Sequence, residues 1–222
     1  MLNNEMLMLF LKGLWETLYM TVVSTALAYL FGLPLGVLLC VTDKNGIKPN
    51  RPVNVIVGFI VNFLRSVPFL ILLVALLPVT RVLIGTTIGS TAVIVPLVIG
   101  STPFVARMVE SSLQEVDGGV IEASKSMGAT NLQIIKKVLI PEAKPSLLVG
   151  GAIAITTILG YSAMAGFVGG GGLGAIAINY GYYRFEPIIM YLMVIILAII
   201  VQVFQEVGMR ISKKYDKRVK NN

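Results

Sequence analysis

Residues 188–209 read IIMYLMVIILAIIVQVFQEVGM, twenty-two positions whose single charge, Glu206, sits near the C-terminal end. A helix crossing a bilayer core of roughly 30 Å needs about 20 such residues. Four more stretches upstream pass the same test: Leu14–Val41, Val53–Leu77, Ile84–Val105 and Leu147–Val168. Together the five take up over half of the 222 residues, and what remains is too little polar chain to wrap them as a soluble core. Composition agrees. The chain is 56% apolar and 13% charged, where soluble domains average about 45–50% and about 25%, and its mean hydropathy is +0.86. The sequence therefore predicts an all-α, polytopic membrane protein with five transmembrane helices.

Much chemistry is excluded at once. Histidine is absent, which removes Ser-His-Asp and Cys-His nucleophiles and any zinc site built on imidazole. Cys40 is the only cysteine, so no disulfide forms within one chain. It follows Leu38-Leu39 rather than the small residue a lipoprotein cleavage site needs, and it is read as a reduced, buried residue. The first span is too long for the apolar region of a cleaved signal peptide and has no small-x-small site.

The net charge of +7 is distributed by side, which argues for topology and against nucleic acid. Lys44, Lys48 and Arg51 lie in the first loop. Arg107, Lys125, Lys136, Lys137 and Lys144 lie in the third, and Arg210, Lys213, Lys214, Lys217, Arg218 and Lys220 in the tail. A five-span path puts these fourteen on one side and only Lys12, Arg81 and Arg184 on the other. The N-terminus is expected outside and the C-terminus in the cytoplasm.

Glycines four apart at Gly32/Gly36, Gly85/Gly89 and Gly166/Gly170 permit close helix approach. Pro34, Pro68, Pro96 and Pro103 interrupt the ladder of backbone bonds, as neighbouring helices allow in a membrane. Repeats, linkers and low-complexity tracts are absent, so residues 1–222 are expected to form one transmembrane domain with its core at about 13–208.

The third loop, 106–146, is longer than a simple turn and is patterned. Asp117 is suited to cap a helix on which Val120, Ala123 and Met127 follow helical spacing, and Gly128 supplies a left-handed stop. Thr130 with Gln133 makes a capping box for a second helix. Leu132, Ile135, Val138 and Leu139 form that helix's apolar stripe, and Pro141 ends it. This helix–glycine–helix knuckle is a rigid knob that a cytosolic partner could push.

Glu122-Ala123-Ser124-Lys125-Ser126-Met127-Gly128, nine further residues and then Val138-Leu139-Ile140-Pro141 resemble the EAA motif of bacterial ABC importer permeases. Glu122, Ala123, Gly128 and Pro141 match the family pattern, and Ser124, Val138 and Ile140 depart from it conservatively. Asn62–Leu72 in the second span, and Gly160–Gly166 with the glycine run 169–174 and Asn179–Tyr182, are similar to the methionine importer permease subfamily. The resemblance covers roughly residues 13–208. It implies a homodimer that forms the pathway for D- or L-methionine, two cytoplasmic ABC ATPase subunits, and an extracytoplasmic methionine-binding lipoprotein. It also implies that Glu122, Ala123, Ser124, Gly128, Val138, Ile140 and Pro141 couple the permease to the ATPase. ATP and Mg would be bound by that partner and no cofactor by this chain, which has no G-x-x-x-x-G-K-[ST] phosphate loop. The formal G-x-G-x-x-G at Gly169, Gly171 and Gly174 follows a membrane span rather than a strand, and is read as a chance match.

Polar and pliable groups inside spans are the candidates for the solute path. Arg65 lies well inside the second span, while Ser162 and Met164 sit late in the fourth beside glycines. Each has a bland alternative: a snorkelling or paired arginine, and gap-filling helix residues. Asn62 is weaker still. Tyr180, Tyr182, Tyr183 and Arg184 suit either an interfacial aromatic belt or docking of an external binding protein. The competing functions are a permease for another amino acid or small solute, and a self-sufficient channel or secondary transporter. The latter would want intramembrane carboxylates or inverted repeats, and here Glu16 and Glu206 keep to span ends. A membrane-embedded enzyme lacks the side chains it would need.

Overall fold

A computed structural model describes residues 4–215, so Lys217, Arg218 and Lys220 of the basic tail lie outside the described residues. The chain opens with α1, Asn4–Thr42, a 39-residue helix that carries Pro34 inside it. After a polar turn come α2, Arg51–Ser66, then α3, Phe69–Ala75, and α4, Leu77–Ile84. The helix α5 runs Ser90–Gln114 and is followed by α6, Gly118–Ser126, and α7, Asn131–Ile134. A π-turn, Ile135–Leu139, leads into the single turn α8, Ile140–Glu142, and then α9, Lys144–Met164. Beyond a 3-10 turn, Ala165–Val168, lie α10, Gly172–Ile176, a second π-turn, Ala177–Tyr182, and finally α11, Pro187–Tyr215.

Among the described residues, α1, α5, α9 with its 3-10 extension, and α11 are long and apolar enough to cross a membrane. The expected second span, Val53–Leu77, is not one straight helix. It is α2 and α3 bent by 101°. Pro68 explains the break: its ring drives the residue before it out of the helical region and it has no N–H to donate. Its carbonyl in turn starts α3, accepting from the Ile71 and Leu72 amides at 3.0 Å each. The third span starts later and ends later than Ile84–Val105, because α4 and a turn at Gly85 and Gly89 occupy residues 77–89. The loop expected at 106–146 shortens accordingly, and Arg107 lies inside α5.

Described residues divide into two compact units. One contains residues up to Ala28, Val67–Ser101 and Ala154–Gln205. Its apolar core joins Phe10 of α1, Leu173, Ile176 and Ala177 around α10, and Ile189 and Met193 of α11. Phe69 stacks on Tyr161 with centroids 4.2 Å apart and planes 6° from parallel. Gly100 lets this pair sit close to α5, since a Cβ there would come within 3.2 Å of the Phe69 ring.

The other unit contains Tyr29–Ser66, Thr102–Ile153 and residues from Glu206 on. Gly32 and Gly36 turn one face of α1 onto α5. A Cβ on Gly32 would meet Val105, and one on Gly36 would sit 2.5 Å from the Ala106 carbonyl. Of the other two glycine pairs, Gly85 and Gly89 have open space around them and serve turns, while Gly166 packs on the α10 backbone at Gly174 and Ala175 and Gly170 on Val93 of α5. One charged pair in this unit ties two helices together. Arg107 donates to Glu110 Oε2 at 2.6 Å, to Asn62 Oδ1 at 3.1 Å and to the Gly58 carbonyl at 3.2 Å, clamping α2 to α5. Asn62 is thus spoken for. At the far end of α11, Ser212 donates to the Pro145 carbonyl and Lys144 lies 3.8 Å over the Tyr215 ring.

Replacing Gly36 by leucine is expected to destabilise the purified protein by about 1–3 kcal/mol, the usual result of overpacking. Gly118→Ala, where nothing lies within 4 Å, should leave the melting temperature unchanged. Thermal unfolding of the two variants in detergent checks both expectations.

Candidate functional site

The segment between α5 and α9 is built by local hydrogen bonds. Asp117 caps α6 by accepting from the Gly119 amide at 2.6 Å. The helix ends in a Schellman motif: the Gly128 amide donates to Lys125 O at 2.9 Å and the Ala129 amide to Ser124 O at 3.1 Å. That closure needs a left-handed residue, and Gly128 has φ +80°. Thr130 and Gln133 then form the reciprocal capping box, with Thr130 N–H donating to Gln133 Oε1 at 2.8 Å and Gln133 N–H to Thr130 Oγ1 at 3.4 Å. The three capping devices read from the sequence are all present.

Two details differ from the expectation. Pro141 does not end the helical path. The Ile140 amide reaches back five residues to Ile135 O, and this widened turn relieves the clash a proline ring makes with the carbonyl four residues earlier. The apolar faces also differ. Ile134 and Leu139 are buried, with Ser124, whose hydroxyl donates to Val120 O at 2.8 Å. Leu132 is 60% exposed, and the helical series Val120, Ala123 and Met127 points outward, Met127 being 81% exposed. The spacing identified a real face, but it is the uncovered one.

The elements gather the motif residues. Glu122, Ala123, Ser124 and Gly128 lie along α6 and its cap, and Val138, Ile140 and Pro141 follow on the π-turn and α8; α6 packs against that π-turn. Glu122 is exposed, as is Pro141, while Val138 and Ile140 are half-buried. Behind α6 lies an open cavity of about 460 Å³, lined among others by Cys40, Asp43, Ile121, Glu122, Lys125 and Leu139. Cys40 is half-buried and free.

The pathway candidates divide between the units. Arg65 is in the unit that contains α2, one residue before the end of that helix, and is exposed; among the described residues no hydrogen bond or ion pair reaches it. Ser162 and Met164 are in the other. Ser162 is fully buried and its hydroxyl donates to Leu159 O at 2.7 Å, so it is engaged within its own helix. Met164 is 44% exposed at the end of α9. Near α11, the Arg184 guanidinium lies 4.3 Å over the Tyr180 ring and Tyr182 packs obliquely on Tyr183.

The glycine run explains the G-x-G-x-x-G match. Gly166 and Gly174 pack backbone to backbone: a Cβ on Gly166 would lie 2.6 Å from the Ala175 amide, and one on Gly174 would strike Ala163 O. The amides that would have to cradle a phosphate at the start of α10 are already occupied. Gly172 N–H donates to Glu16 Oε2 and Leu173 N–H to Thr17 Oγ1, each at 2.8 Å. A carboxylate fills the place of the anion, so the motif is a packing device. Sequence reasoning gave no role to Glu16 or to the Arg107–Glu110 pair; an acid inside a predicted span is the signal that points to Glu16, whereas Arg107 and Glu110 fell in the expected loop and enter a span only because α5 runs on to Gln114.

The family described as binding-protein-dependent transport system inner membrane component matches residues 28–221. The probable D-methionine transport system permease protein MetI of Vibrio cholerae is 50% identical over 217 residues, 98% of this chain and 95% of that protein. The D-methionine transport system permease protein MetI of Escherichia coli K12 is 48% identical over 165 residues, 74% of this chain and 76% of its own length. Among solved structures, an inward-facing MetNI methionine ABC transporter superimposes with a TM-score of 0.95 at 47% identity, over 97% of this chain and all of that one. An amino acid ABC transporter at 24% identity shares the fold, with a TM-score of 0.71 over 95% of this chain and 94% of that one.

Gly128→Ala should destabilise the α6–α7 turn by about 1–2 kcal/mol, the penalty for placing a Cβ at left-handed φ. Amide exchange across residues 124–134 is expected to speed up in that variant, and to stay closer to the parent in Gly128→Asn, which tolerates the conformation.

Proposed function

Because the chain belongs to the family of binding-protein-dependent transport system inner membrane components, we propose that it forms the translocation pathway for methionine in an ATP-driven importer, with the α6–α7 knuckle as the point where force enters. The chain is a multi-pass inner-membrane permease subunit of an ABC transporter, and the catalysis of ATP hydrolysis is not its own. The observation that carries the coupling role is the exposed series Val120, Ala123, Met127 and Leu132 on a knuckle whose backbone is fixed by three capping devices. A stiff element with an uncovered apolar face suits docking to another protein.

In this reading two copies of the chain, each a single permease domain of residues 1–222, pair as a homodimer. Two ATPase subunits on the cytoplasmic side hold ATP and Mg, and an extracytoplasmic methionine-binding lipoprotein delivers solute. The basic loops and tail face the cytoplasm and the N-terminus lies outside, as the positive-inside bias supports. When ATP draws the ATPase subunits together, the knuckle moves with them. Glu122 contributes charge at the docking face, Ala123 leaves room for close approach, and Ser124 anchors α6 from beneath. Gly128 makes the turn, and Val138, Ile140 and Pro141 carry the displacement toward α9. Arg65, unpaired within its own unit, and Met164, half exposed beside a glycine turn, line the solute path, with Ser162 supporting the helix end behind Met164.

Vesicles reconstituted with all components should take up labelled methionine in an ATP-dependent manner that other amino acids do not outcompete. Import of a different solute with no methionine uptake would overturn the substrate assignment. In the same vesicles, Gly128→Pro and Glu122→Lys are expected to lower uptake per ATP hydrolysed by about tenfold, equivalent to roughly 1.4 kcal/mol, with membrane insertion intact. Normal coupling in both variants would remove the knuckle from the mechanism.

A further inference from the structure

The helical stretch that begins at α10 has no cap of its own. Its N-cap position is Gly171, at φ +80° and without a side chain, and Gly169 and Gly172 are also left-handed at φ +77°. A run of such glycines is free to move unless something outside it holds it. That hold comes from α1. Glu16 and Thr17 take the Gly172 and Leu173 amides, and Thr17 Oγ1, fully buried, donates onward to Gly13 O at 2.8 Å. Two consecutive residues of one helix thereby do for another what an N-cap side chain does locally. The carboxylate suits the place, since helix starts favour negative charge, and Lys12 Nζ stands 3.9 Å from the other Glu16 oxygen.

Packing holds this turn on one side, where Gly170 meets Val93 and Gly172 meets Met20. A cavity of about 330 Å³ borders it, lined by Lys12, Glu16, Gly171, Gly172, Asn179 and Tyr180 among others. On its other side the turn is tied by single backbone bonds, Gly89 N–H to Gly169 O and Gly170 N–H to Ala165 O, each 2.9 Å. Ala165 directly follows Met164. The Glu16–Thr17 bonds therefore set where the chain goes as it leaves the candidate pathway residue.

We infer that Glu16 and Thr17 are positioning residues for transport, supplying from α1 the cap that the glycine turn lacks and so fixing the segment next to Met164 through the transport cycle. The inference rests on the permease reading above and on Met164 lining the path. It is tested in the complete reconstituted complex by two readouts: hydrogen exchange of the peptide 169–176, and solute imported per ATP hydrolysed. Loss of a cap predicts that Glu16→Ala and Thr17→Val speed exchange there by about fivefold and lower import per ATP by about two- to fivefold. Glu16→Gln and Thr17→Ser, which keep an acceptor oxygen, should remain within about twofold of the parent on both measures. Parental exchange in the Ala and Val variants would overturn the inference. So would faster exchange with import per ATP unchanged, which would leave the bonds purely structural. If Glu16→Ala does not assemble, Thr17→Val against Thr17→Ser decides by the same two results. A parent complex that imports a solute other than methionine refutes the substrate assignment alone, because exchange and import per ATP are read with whichever solute is carried.

Discussion

In hydrocarbon an unpaired backbone amide or carbonyl has no water to turn to, and each one left alone costs several kcal/mol. Inside and outside its spans this chain breaks its helical ladder repeatedly, and each break has a different remedy. At Pro68 the helix stops, bends through 101°, and restarts with the proline carbonyl accepting from Ile71 and Leu72. At Pro141 the helix does not stop; the preceding turn widens to a π geometry, the Ile140 amide reaching Ile135 O. At Gly171 the backbone can offer no partner of its own, and side chains from a helix 156 residues away supply it. The irregular parts of the fold are therefore the parts where residue-specific chemistry has been added.

Charge follows the same logic. A guanidinium within a membrane helix is tolerated when its donors are used. Arg107 spends its donors on Glu110, Asn62 and the Gly58 carbonyl, joining α2 to α5. Breaking such a pair from one side leaves a buried charge, which is worse than never having had the pair. Arg65 lies on α2 within one turn of Asn62, yet it takes no part in this clamp; it is exposed and unpartnered within the described residues. Two arginines of equal chemistry thus have different standing, one clamping helices and one left open.

The helices and the knuckle were legible because their signals are local. A run of apolar residues fixes a span, and Asp117, Gly128 and the Thr130–Gln133 pair act within four residues of themselves. What was not legible is set by distance. Val120, Ala123 and Met127 have the spacing of a buried stripe, and only the surroundings of α6 decide that Ser124 turns inward and Met127 outward. Glu16 reads as an acid near the end of a span until the chain returns 156 residues later with two bare amides. Pro68 was visible as an interruption, but the partner of the helix that follows it was not: Phe69 stacks on Tyr161, 92 residues further along the chain. Ser162 was selected for polarity, and its hydroxyl is consumed by its own helix.

A knob that transmits force must not bend more than the thing it moves. An isolated pair of short helices would fray, since helix nucleation is unfavourable and α7 is only one turn long. Caps on both helices, each worth about 1 kcal/mol, and the Schellman closure between them replace the length that these helices lack. Ile134 and Leu139 then root the knuckle in the unit to which it belongs, while Met127 and Leu132 stay uncovered. Burial beneath and exposure above differ in effect: the buried side chains fix the element in its unit, and the exposed ones leave apolar area uncovered. Stiffness by local hydrogen bonding, rather than by a large core, is what fixes so small an element while its outer apolar residues stay uncovered, as the proposed coupling role requires.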